Sequence, residues 1–67
     1  MSAPKYDLAA CVEAGAQAAY NAIRDKHTAT GYKMATWEQA PPMIRHFHRE
    51  HVLPIVRAVL GVVEAGE

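Results

Sequence analysis

An all-α fold, a hairpin of two helices working as a homo-oligomer, is predicted from three features of the sequence. Two stretches carry helical apolar spacing, one connection without sustained period lies between them, and the second stretch has more apolar surface than a hairpin can cover. The chain has 67 residues, which makes one domain of a size at which burial barely exceeds chain entropy. Thirteen residues are alanine, so the 51% hydrophobic fraction overstates the volume available to a core. Cys11 is the only cysteine, which rules out an internal disulfide and leaves association as the common way to reinforce so small a domain.

The first helix is expected near residues 5 to 27. Leu8, Cys11, Val12, Gly15, Ala16, Ala18, Ala19, Ala22 and Ile23 recur at helical spacing, with Glu13, Gln17, Asn21 and Arg24 across from them. Ser2 or Asp7 can cap its start, and Gly31 can stop it. Cys11, Gly15, Ala18, Ala19 and Ala22 form a nearly smooth stripe that another helix could approach closely. Thr28 to Ala40 read as the connection. Within it Thr36 and Gln39 have capping-box spacing, and the prolines that follow favour a single turn over residues 36 to 40. Trp37, flanked by Tyr20 and Tyr32, is the one large side chain able to plug the open end of the hairpin.

The second helix is expected near residues 42 to 64, with Pro42 at its first position and Gly66 beyond its end. Ile44, Phe47, His51, Ile55, Ala58 and Val62 define one face. Pro54 removes a backbone hydrogen bond there, so a kink or break is expected near Glu50 to Leu53. Before Pro54 the opposite face is polar, with Arg45, His46, Arg49 and Glu50; after it, Leu53, Val56 and Leu60 point away from the first face. Such a segment, apolar nearly all round, must be buried. Leu53, Val56, Val59, Leu60 and Val63 are the expected interface.

The segment Arg45 to His51 concentrates basic residues. Arg45 and Arg49, one turn apart and flanked by His48, suit a phosphate or carboxylate, and Trp37 could stack a base beside them. Against that stands a solvated face with Arg49 paired to Glu38 or Glu50. One helix seldom points more than two histidines at one ion, so no metal site is expected, and His51 reads as a core or interface histidine. Cys11 lies in the smooth stripe and reads as inert packing. No nucleophile elbow, phosphate loop or carboxylate pair is present, so no catalysis and no cofactor are expected. Arg57 is left with Glu64, Glu13 or an interface as its partner.

Seven Lys/Arg balance seven Asp/Glu, which argues against a nucleic-acid partner. The longest apolar run, Val52 to Val63, is too short to span a bilayer, and the N-terminus lacks a signal-peptide pattern, so a cytoplasmic protein is expected.

Trp37-Glu38-Gln39-Ala40-Pro41, followed by Arg45, Arg49-Glu50, Val52 and Arg57 to Gly61, together with Ala18-Ala19-Tyr20, resembles a ryanodine-receptor-type repeat as it recurs in small bacteriophage and prophage proteins. The resemblance spans roughly Ala16 to Gly61. It implies an α-helical hairpin used as a binding or regulatory module, without catalysis, and related repeats are associated with nucleotide-like ligands. The expected function is therefore that of a phage-encoded binding protein that oligomerises and binds a host factor, the alternative being sequestration of a host nucleotide signal through Arg45, Arg49, His48 and Trp37.

Overall fold

The computed structural model describes residues 6 to 66. Among them the chain forms two α-helices and no strand: α1, Leu8–Ala29, and α2, Pro42–Ala65. The expectation for α1 began at residue 5, which lies outside the described residues, as does Ser2. Asp7 is the cap, its carboxylate accepting from the backbone N–H groups of Ala9 and Ala10 at 3.0 and 3.4 Å, so two of the open donors at the helix start are satisfied.

α1 runs two residues further than expected because its last carbonyls find partners. Thr30 donates its N–H and its hydroxyl to the His27 carbonyl at 3.1 and 2.8 Å. Beyond Ala29, Gly31 takes φ +87° and donates to the Thr28 carbonyl, while Tyr32 donates to that of His27. This crossed pair of bonds needs the left-handed conformation that glycine adopts at least cost. α2 starts at Pro42 after an extended Pro41, with no side-chain cap.

α2 is unbroken through Pro54, so of the kink or break expected near Glu50 to Leu53 the break is absent. The ring is exposed, and a helix clamped along one side by its neighbour absorbs a missing bond that would end an isolated helix.

The connection lies back against both helices. Tyr20 donates its hydroxyl to the Ala35 carbonyl at 2.7 Å, and Arg24 Nε donates to that of Met34 at 3.2 Å. Gln39 and Ala40 then donate to the carbonyls of Thr36 and Trp37, which makes the single turn that drops Trp37 between the helices. The buried apolar core is Ala16, Tyr20, Trp37, Ala40 and Val52, with Val12, Ala19, Met34 and Val56 packed against it.

The face of α2 turned toward α1 differs from the one its apolar residues suggest. Arg45, His48, Arg49, Val52 and Val56 are buried or half-buried, whereas Ile44, Phe47, His51, Ile55, Ala58 and Val62 are exposed. Phe47 keeps 62% of its surface in solvent and Val62 74%. The physical reason lies in the connection: Trp37 brings a ring and an indole N–H to the seam, and His48 and Arg49 of α2, with Val52 and Val56 beside them, complete that group.

α1 is likewise rotated relative to its small stripe. Ala16 and Tyr20 point inward, while Ala18 and Ala22 are exposed. Gly15 stands at the rim of the seam, where an added Cβ would lie 3.5 Å from Val56 Cγ2 and 3.7 Å from Val52 Cγ2. That is ordinary contact, so Gly15→Ala is expected to raise the stability of the helix by roughly 0.5 to 1 kcal/mol by removing backbone freedom from the unfolded chain. Gly15→Leu, which cannot fit the same space, is expected to lower the melting temperature. Thermal melts of the two variants against the parent check both signs.

Candidate functional site

Three rings meet at the centre of the hairpin. Tyr20 from α1, Trp37 from the turn and His48 from α2 lie mutually edge-on, with centroids 5.7 Å apart for Tyr20 and Trp37, 5.6 Å for Tyr20 and His48 and 6.5 Å for Trp37 and His48. Edge-to-face rings place positive ring edges on negative ring faces, an attraction beyond the apolar area they bury. Trp37 and His48 are both almost fully buried.

At the rim of this cluster Glu13 gathers three donors. Its carboxylate accepts from Trp37 Nε1 at 3.1 Å and from Arg49 twice, Nε at 2.6 Å and Nη2 at 3.0 Å. The planar fork of Arg49 matches the carboxylate, and its Cζ also lies 5.6 Å from the Trp37 ring centroid, so one side chain closes the ion pair and covers the indole. One helical turn away, Arg45 Nη1 reaches the Glu38 carbonyl at 3.5 Å.

The Glu13 carboxyl is held below its ordinary value of 4.5, first by the hydrogen bonds from Arg49, then by that from Trp37, with burial opposing. Because the folded state binds the proton less tightly than the unfolded chain, this contribution is fully present above the ordinary carboxylate range and is lost as pH falls through the depressed value. Stability is therefore expected to decline on acidification below about pH 4.5, and Glu13→Gln is expected to flatten that part of the profile. Denaturation midpoints measured at a series of acidic pH values for both proteins give the comparison.

The residues predicted for an anion site thus divide. Arg49, Trp37 and His48 are drawn together, but into the core and its rim, where Arg49 is satisfied by Glu13 and not by Glu38 or Glu50. Arg45 adjoins them along α2. Two buried atoms of this group, Arg45 Nε and His48 Nδ1, have no hydrogen-bond partner. His46 pairs instead with Glu50 at 3.7 Å on the exposed side, and His51 stacks on Phe47, 6.2 Å between centroids and 8° from parallel. Among the described residues no group of three His, Cys, Asp or Glu is placed to hold a metal ion.

The residues predicted as an interface also divide. Leu53, Val56 and Leu60 are half-buried, whereas Val59 and Val63 are exposed. Glu13 was the member of the site that periodicity placed on a solvent face. The indole N–H of a buried Trp, which needs an acceptor, is the one signal in the sequence that points to it.

No family model, curated protein or solved structure matches the chain. None of the described helices is long and apolar enough to cross a membrane.

Proposed function

We propose that this protein is a non-enzymatic helical binding module that works as an assembly on a protein of a bacterial host, the role implied by its resemblance to small phage-encoded repeats. The observation that carries this reading is the exposed side of α2. Ile44, Phe47, His51, Ile55 and Val62 recur along five turns with no Asp, Glu, Lys or Arg of α2 interposed on that side, and such a surface rimmed by polar residues marks a site of macromolecular contact. The groups capable of chemistry are occupied in holding the hairpin together, with Glu13 and Arg49 neutralising each other and Trp37 closing the core. Binding by shape and apolar burial needs none of them free.

A second reading keeps Arg45, Arg49, His48 and Trp37 as a nucleotide or phosphate site. It is favoured by the unpartnered Arg45 Nε and His48 Nδ1, since a buried donor without a partner costs stability that an oxyanion could restore.

Native mass spectrometry of the protein isolated from bacterial cells that produce it tests both. A retained bacterial polypeptide in fixed stoichiometry is expected. Retention of a nucleotide mass that Arg45→Ala abolishes would replace the first reading by the second, and copies of the chain alone would contradict both.

A further inference from the structure

We infer that the apolar side of the hairpin is covered by a second copy of the same chain, with α2 of each copy lying antiparallel on α1 of the other, so that two hairpins close a four-helix bundle. The inference rests on reading that side as a docking surface and gives it to the assembly, so that the host protein would meet another face of the dimer.

The first support is the shape of the single chain. Its extents are 50 × 21 × 14 Å, so the hairpin is one layer, little thicker than the 10 to 12 Å or so of one helix with its side chains. Domains bury their apolar faces between two layers, and this chain supplies one. The radius of gyration, 14.5 Å, exceeds the value of about 11 Å expected for 67 compact residues.

The second is area. The accessible surface is 5156 Å², whereas a compact monomer of this size exposes about 4,200 Å². The excess, on the order of 1,000 Å², is close to the roughly 800 Å² that each partner contributes to a stable interface. A second copy removes such an excess from both chains at once.

The third is the pattern on the two helices. Two antiparallel helices that face each other carry equal angular offsets on the same side of their common plane. At about 100° per residue, Leu8, Cys11, Ala18 and Ala22 on α1 and Ile44, His51, Ile55 and Val62 on α2 fall on one side of the hairpin, and Glu13, Gln17, Arg24, His46, Arg49 and Arg57 on the other. Gly15 near Val52 and Val56, and Glu13 on Arg49, are cross-helix contacts on those two sides. This side of the layer is therefore apolar across both helices except for His51 and for Lys26, which stands about five turns from Leu8 near the end of α1.

The fourth is bulk, which decides the arrangement. The α1 half of this side is low, built largely from Ala18, Ala22 and Gly15; the α2 half is tall, with Ile44, Phe47 and Ile55. Placing α2 on α2 would set the layer spacing by Phe47 and Ile55 and leave voids between the two alanine-lined helices. Placing α2 on the partner's α1 lets tall side chains enter the low stretch between Cys11 and Ala22 and fills the layer more evenly. A two-fold axis parallel to the helices does this in an isologous, closed pairing. In the register set by Ala16 beside Val52, Phe47 then lies over the partner's Ala22, and Ile55 near the partner's Cys11.

Two measurements on the purified chain test this independently of any host protein. In sedimentation at micromolar concentration the parent is expected to run as a dimer and Ile55→Glu as a monomer; a monomeric parent, or a dimeric Ile55→Glu, overturns the inference. Because the variant could lose its fold with its partner, cross-linking supplies the second arm. In a Cys11→Ser background, chains carrying Ala22→Cys are mixed with chains carrying Phe47→Cys and oxidised. A covalent heterodimer from the mixture, with little covalent dimer from either chain alone, is expected. Cross-linking instead between Phe47→Cys and Val59→Cys chains would show α2 lying on α2 and would overturn the arrangement. A dimer found without any host polypeptide leaves this inference standing and removes the host binding proposed above; a monomer found with one overturns this inference and the assembly, and leaves the host binding standing.

Discussion

Trp37→Ala is expected to unfold the protein or leave it barely folded, with a loss of about 3 to 5 kcal/mol. Three contributions add in that residue. The ring is 5% exposed and touches the other buried residues of the seam, so truncation opens a cavity that two helices held by few other large side chains cannot easily close. The indole N–H leaves Glu13, and Arg49 loses the ring face beneath its guanidinium. Total stabilities of small domains lie at about 5 to 15 kcal/mol, so the loss is comparable to the whole. Trp37→Phe keeps most of the volume while removing the N–H, and is expected to lose markedly less. Urea titrations followed by circular dichroism at one protein concentration separate the two. Equal losses would mean that the bond to Glu13, and not the packing, holds the turn in place.

Pro54→Ala is expected to stabilise the protein, by up to about 3 kcal/mol. α2 continues on both sides of Pro54, so the helix carries the missing N–H and the ring's crowding of the preceding turn without being interrupted. Alanine restores the donor to the Glu50 carbonyl and suits an exposed position. The midpoint of thermal unfolding should rise. An unchanged or lower midpoint would mean that Pro54 helps to seat α2 against its neighbours.

These two residues also show what could be read from the sequence. The helices, the Asp7 cap, the stop at Gly31 and the turn over residues 36 to 40 all follow from local rules of spacing and conformation. Trp37 as the plug of an alanine-rich hairpin follows from volume alone. The orientation of α2 does not. Counting apolar residues favours the side of Ile44, Phe47 and Ile55, because periodicity weighs each side chain by itself. The seam is decided by a long-range group, Glu13, Trp37 and Arg49, whose members lie 24 and 36 residues apart in pairs. The buried indole N–H of Trp37 needs an acceptor, which Glu13 supplies from the rim, whereas aliphatic side chains on the outer side can be covered by a partner. The same rotation explains the candidate anion residues: Arg49 is drawn inward by Glu13, whereas its neighbours on the helix offered Glu38 and Glu50.

α2 turns Arg49, His48 and Val52 to its own α1, and in the inferred dimer it turns Phe47, Ile55 and Val62 to the partner copy. Isotope-filtered nuclear Overhauser spectroscopy on an equal mixture of labelled and unlabelled chains tests this arrangement most directly, because it separates contacts within a chain from contacts between chains. Val52 to Ala16 and Trp37 to Tyr20 are expected as contacts within a chain, with contacts between chains from Phe47 and Ile55 to the small residues of α1. Contacts of Phe47 and Ile55 to α1 of their own chain, or contacts between chains from Trp37 and Val52, would contradict it.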